Sequence, residues 1–297
     1  MIHPSLIKEV ERAKQAASQF HFCEEYYQIH SPSKCSIALH PENQIKNKQN
    51  HWGFPYDHNR ILSIPSYINA SPMEFNSRRY IAAQGPRDNT LAEFWHMVLA
   101  EKATLVISVT NERENTPGMG SFKFNRFWPS EGSLSYGDVR VTLVEESLLN
   151  EWNDGREEKI RMRRLLLTHE NEKRAVVHLH MENWPDNGVV HPESLLQLSR
   201  EANRLNDKGP IIVHCAAGVG RTGTFIAFHS LYNDLVDQSS HPNPSVDIPG
   251  RVHAMRQLRW GAMIADIKQY ELLLEALKLS LTQLAVHNRN FEDFNRS

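Results

Sequence analysis

The stretch Val213-His214-Cys215-Ala216-Ala217-Gly218-Val219-Gly220-Arg221-Thr222-Gly223 sets a thiol and a guanidinium on either side of five small or apolar residues. It reads as a buried strand, a glycine-bearing loop and the start of a helix. A turn of that length can aim its backbone N–H groups inward, where they and the helix N-terminus bind an oxyanion. A thiol in that field ionises readily, because thiolate pKa values fall to about 3.5–7.5 at helix N-termini and beside cations. Cys215 is therefore expected to be a nucleophile at neutral pH, with the amides of Ala216, Ala217, Gly218, Val219 and Gly220 around it and the planar fork of Arg221 matching two anion oxygens. The competing reading is a core strand that ends in an inert buried cysteine, and it leaves Arg221 unexplained.

Phosphoryl transfer from an ester needs an in-line nucleophile, charge stabilisation and a proton for the leaving oxygen. Trp184-Pro185-Asp186-Asn187-Gly188-Val189 offers the proton donor, just past a strand and with a glycine that lets the segment move as a lid. At these residues the chain resembles the cysteine-dependent protein tyrosine phosphatases, whose signature is His-Cys, five residues, then Arg-Ser/Thr. The resemblance implies hydrolysis of phosphotyrosine through a phosphocysteine. Asp186 on a mobile Trp-Pro-Asp loop would be first general acid, then base on the water. It further implies that His214 tunes Cys215 and that Thr222 donates its hydroxyl to the departing sulfur. Glu114, with Lys123 and Phe127-Trp128-Pro129 behind it, is similar to the loop whose acid orients the arginine. Tyr67-Ile68-Asn69-Ala70-Ser71 and Gln84-Gly85-Pro86, ahead of Phe94-Trp95, look like the family's structural motifs. The resemblance spans roughly residues 20 to 285, which argues for the tyrosine-specific type over the smaller dual-specificity one.

Two departures stand out. Where the family usually carries Asn-Arg-Tyr and then an Asp, Asn50-His51-Trp52-Gly53-Phe54-Pro55 has Trp52 and no acid; Trp52 can still wall a narrow slot by stacking on a phenyl ring. Beyond Arg256 and Arg259, two water-positioning glutamines are expected four residues apart, and Ala265 and Gln269 occupy those positions. The missing amide predicts slower dephosphorylation of the cysteine, or leakage to other acceptors. The Trp260-Gly261-Ala262-Met263 spacing is also similar to phosphatase effectors injected by bacterial pathogens. The alternatives kept open are a weakly active phosphotyrosine-binding module and a phosphatase of dual specificity. Lipid headgroups are disfavoured, because Ala216, Ala217 and Val219 add no cations.

Net charge is −2 over 297 residues with both signs interspersed, so neither nucleic acid nor an anionic membrane is implied as a partner, and no apolar run approaches a bilayer span. The expected partner is a phosphotyrosine protein or peptide, with the chain a monomer. The N-terminus lacks the form of a signal peptide, and three cysteines cannot all pair, which fits a reducing cytoplasm; delivery into a host cell is compatible but not legible. No cofactor is called for, and the Cys and His residues lack zinc-ligand spacing.

The elements predict one α/β (α+β) domain over residues 1–297, a twisted mixed sheet flanked by helices on both sides. Two N-terminal helices are expected within 4–29 and a long loop from Ser31 to Asn59. Strands are expected at Tyr67–Ala70, Tyr80–Ala83, Thr104–Val109, Val139–Val144, Ile160–Thr168, Ala175–Met181 and Ile211–Val213. Helices are expected at Leu91–Glu101, Pro192–Asn206, Thr222–Val236, Pro249–Leu258 and Ile267–Val286, the last with a core-facing stripe of Leu273, Leu277, Leu281 and Leu284. Gln238–Asp247 is expected as a loop and 288–297 as a frayed tail.

Overall fold

Ile211, Ile212 and Val213 are apolar in succession, and such a strand belongs where both sheet faces are covered. In the computed structural model it does lie inside an eight-stranded mixed sheet. The structure describes residues 4–17, 32–49, 52–116, 119–150, 152, 154–186, 188–206, 209–238, 245–261 and 263–294. In chain order the strands are β1 (Ala70–Phe75), β2 (Arg78–Ala83), β3 (Leu105–Ser108), β4 (Arg113–Thr116), β5 (Met119–Phe122), β6 (Ser133–Tyr136), β7 (Val139–Leu148), β8 (Lys159–His169), β9 (Glu172–Glu182) and β10 (Ile211–His214). The longer helices are α1 (Pro4–Ala17), α2 (Leu91–Ala100), α3 (Pro192–Leu205), α4 (Gly220–Asp237), α5 (Ile248–Leu258) and α6 (Ile267–Phe294).

The sheet order is β1-β2-β10-β3-β9-β8-β7-β6, with β2, β10, β3 and β9 parallel and the flanking pairs antiparallel. Alternate residues of one strand serve opposite layers, as the period of two requires. Ile211, Val213, Leu105, Ile107, Leu179 and Met181 join the core under α3, α4, α5 and α6. Ile212, Val106 and Val176 join a second core beneath α2. Helix α4 is buried from Arg221 to Leu235, so its N-terminus is fixed against the sheet rather than hung on the surface. The Leu273, Leu277 and Leu281 stripe is core, with Leu284 packed at its edge.

Several expectations shift. Strand pairing begins at Ala70↔Ala83, not at Tyr67, because the Ala70 N–H turns back onto Ile68 O and closes a local turn just before the ladder. Pro72, which has no N–H, is tolerated because β1 is an edge. The long loop before Asn59 holds two single helical turns, Ser36–Leu39 and Pro41–Gln44, with 3-10 turns at Pro32–Cys35 and Asp57–Asn59, all too short to leave a periodic pattern. The Asp57 carboxylate accepts from the Ser36 and Ile37 amides and tethers one of those turns. The β4–β5 hairpin and β6, four-residue strands, were not anticipated, and α6 continues through Phe294 where a frayed tail was expected. The second N-terminal helix falls outside the described residues, as does most of the Gln238–Asp247 loop.

Candidate active site

Strand β10 ends at His214, and the chain then turns through Cys215–Val219 into α4. Each carbonyl from His214 to Gly218 accepts a hydrogen bond. Val109 N–H donates to His214 O, His214 Nδ1–H to Cys215 O, and Gly85 N–H to Ala216 O. Arg259, fully buried, donates to Ala217 O at 3.1 Å and Gly218 O at 2.8 Å. The Val219 carbonyl accepts from Gly223 N–H within α4, and the Val219 and Thr222 amides act on the Cys215 sulfur. Gly218 makes the turn possible: its φ is +72°, and a Cβ there would stand 2.1 Å from Ala83 O. No acidic residue lies in the first turn of α4 and no side chain caps it, which leaves its N–H groups for an anion.

Cys215 is 4% exposed at the foot of this hollow. Burial alone would push its thiol up, but the Arg221 charge, the Thr222 side chain and the Thr222 and Val219 amides outweigh it and set the pKa below the ordinary value. The Thr222 hydroxyl is buried without a hydrogen bond of ordinary geometry, and it acts on the sulfur by lying beside it. Arg221 Nη1 donates to Trp184 O at 2.8 Å and Nη2 to Asp186 Oδ1 at 3.1 Å. Lys123, buried, donates to Asp186 Oδ2. The Trp184 ring is buried, with its Nε1–H on Gly188 O, so it pins the Trp184–Gly188 segment across the cradle with the Asp186 carboxylate between two cations.

The structure also brings in residues that sequence reading passed over. Ser108 Oγ lies 2.6 Å from His214 Nε2 and 2.8 Å from His178 Nε2. Since His214 spends its Nδ1–H on Cys215 O, its Nε2 must accept the one proton of Ser108, and His178 Nε2–H must then donate to Ser108. Arg163 completes the series by donating to His178 Nδ1 at 3.4 Å, with its guanidinium 4.3 Å from the Trp128 ring centroid. Burial holds His214 neutral, its pKa pushed down to about 3. Lys48 has its pKa lowered by burial first and then by Lys123 and Arg87, while Asp186 and Cys215 oppose the shift, which places its charge near the mouth of the site.

Of the other expected residues, Trp52 is 36% exposed at the rim, and its neighbour Gly53 packs against Ala217 and Val219. Gln269 is buried, with Oε1 accepting from Ala265 N–H at 2.9 Å, and both Ala265 Cβ and the Gln269 amide lie against Gly220. Positions 265 and 269 therefore lie side by side next to Gly220 at the start of α4. The Glu114 backbone lies on β4, but its side chain is outside the described part, as are Asn50 and His51.

Fold and site together set a buried cysteine loop, with a helix N-terminus beyond it, at the end of a strand in a mixed α/β sheet. The family model for protein-tyrosine phosphatase matches residues 43–278, and the chain belongs to that family. It is 34% identical over 296 residues to receptor-type tyrosine-protein phosphatase C of Mus musculus, covering 93% of this chain and 21% of that protein. It is 36% identical over 234 residues to the Lar-like tyrosine-protein phosphatase of Caenorhabditis elegans, covering 75% of this chain and 10% of that one. The chain thus spans about a fifth or less of the length of these relatives. The solved structure of PTPN18 in complex with HER2 phosphopeptides superposes with a TM-score of 0.75 at 28% identity and 93% coverage of both chains. These relatives lend no support to the bacterial-effector likeness read from the Trp260–Met263 spacing.

Proposed function

We propose that this domain hydrolyses phosphotyrosine on proteins through a phosphocysteine. The observation that carries the reading is the buried Cys215, its pKa lowered, in a loop whose Ala216, Ala217 and Gly218 carbonyls are bonded outward to Gly85 and Arg259. The Cys215 thiolate attacks phosphorus, the S–P bond forms as the P–O bond to the phenol breaks, and Asp186, displaced from Arg221 by the substrate phosphate and protonated from solvent, gives that proton to the leaving oxygen. Asp186, once ionised, takes a proton from the water that then cleaves the S–P bond, and Thr222 hydrogen-bonds the departing sulfur. In the present arrangement the Asp186 carboxylate holds Arg221, so substrate phosphate takes that place on the guanidinium. Trp52 walls the slot, and the depth of Cys215 favours the long phosphotyrosine over phosphoserine. A reducing compartment such as the cytoplasm keeps the thiolate available.

The test is phosphate release from matched phosphotyrosine, phosphoserine and phosphothreonine peptides. Turnover on phosphotyrosine, abolished by Cys215→Ser, supports the reading. Tight binding of phosphotyrosine peptide without turnover replaces it with a phosphotyrosine-binding module, the alternative that the alanine at position 265 favours.

A further inference from the structure

At the other end of the sheet, His96 of α2, Asp138 of the β6–β7 turn and His169 at the end of β8 converge. His96 Nε2 lies 2.6 Å from Asp138 Oδ1 and His169 Nε2 lies 3.0 Å from Asp138 Oδ2, with the two rings edge to face at 5.6 Å between centroids. One nitrogen from each histidine and a carboxylate oxygen all lie within 4.8 Å of one another. We propose that these three side chains bind one divalent transition ion of the zinc class.

Three observations carry this. Both imidazoles aim the same ring atom at the two oxygens of one carboxylate, so the three groups already surround a common point. Around a tetrahedral ion with bonds of about 2.0–2.1 Å the ligand atoms stand roughly 3.3 Å apart, a closure within the reach of side-chain torsions. The carriers are also fixed relative to one another. Tyr136 pairs with Val139, so Gly137-Asp138 is a two-residue turn, and Gly137 holds φ +63° with its would-be Cβ 3.1 Å from Ala92 on α2. His169 pairs with Glu172 at the close of the β8–β9 hairpin. Finally, the histidine side chains are about one-third exposed (34% and 28%) and the carboxylate is 63% exposed, so a hydrated ion can enter and keep water in its remaining positions.

The donor set selects the ion. Two imidazoles and one carboxylate, with no thiolate, suit zinc, nickel or copper(II) and not the all-oxygen shells of calcium or magnesium. On binding, each Nε2–H proton shifts to Nδ1 of its own ring or leaves to solvent. The site lies roughly 25 Å along β9 from the register of His214, judged from strand rise, so the ion would clamp α2 to the two hairpins and take no part in the chemistry.

Titration calorimetry with zinc chloride on the full chain carrying Cys215→Ser, which removes the thiolate that would compete for zinc, tests the site. One equivalent bound with a micromolar Kd and a rise in thermal midpoint of a few degrees is expected. In the same background His96→Ala and His169→Ala should weaken binding at least about tenfold and abolish the thermal shift. Asp138→Asn, which keeps the size of the side chain but turns one acceptor oxygen into an N–H donor and removes the charge, should weaken binding likewise. No uptake by the parent chain, or uptake undiminished in these variants, overturns the proposal.

Discussion

Burial works against a charged sulfur at Cys215, and Arg221, Thr222 and the loop amides overcome it. Cys35 shows burial prevailing: desolvation, with Asp57 next, pushes its thiol up to about 12. Iodoacetate at pH 6.5 should therefore label the Cys215 peptide and leave the Cys35 peptide unmodified, as read by mass spectrometry; equal labelling would contradict this electrostatic picture. Asp186→Ala should lower kcat by about 10²–10⁴-fold, the range for a lost general acid, with a smaller change in KM. Ala265→Gln should speed breakdown of the phosphocysteine in single-turnover experiments, because a second amide would then face the cradle beside Gln269. Cys215 and Arg221 were legible because they bracket one local turn whose chemistry is written in consecutive positions. Lys48 was not, since its closeness to Cys215 and Asp186 depends on how a segment without periodicity folds.

Among the elements, the cradle is shaped from outside itself. Arg259 reaches Gly218, Ala217, Gly53, Asn69 and Ser71, and burial lowers its pKa to about 10. Arg259→Ala strands several buried acceptors and should cost at least about 3 kcal/mol in urea unfolding, along with most activity. Gly218→Ala, which drives a Cβ into the Ala83 carbonyl, should do comparable damage by the same measurement. The Arg163–His178–Ser108–His214 series directs every donor toward Cys215 O. None of this could be read from the chain, because Arg259 meets partners 41 to 206 positions away. Strand alternation and the apolar run of β10 were legible, being local patterns. The β4–β5 hairpin was not, because four-residue strands carry too little pattern.

For the whole molecule, buried histidines tie stability to pH. Desolvation leads in holding His178 well below its ordinary value, His180 at about 4, and His214 and His229 at about 3. The unfolded chain binds these protons near pH 6.5, so the contribution is full above that value and is lost as pH falls toward the folded values. Urea midpoints should drop between pH 7 and pH 5.5 by the equivalent of about 1 kcal/mol per buried histidine; a flat profile would refute the assignment. The fold class was legible from order and periodicity, whereas the surface cluster of His96, Asp138 and His169 was not, its members lying 42 and 31 positions apart.

The central claim is that phosphate passes through Cys215. Acid-quenched single turnover with a radiolabelled phosphotyrosine peptide, followed by mapping of the label, tests it most directly. The structure predicts label on the Cys215 peptide, absent in Cys215→Ser; phosphate release with no labelled cysteine, or release undiminished in Cys215→Ser, would contradict it.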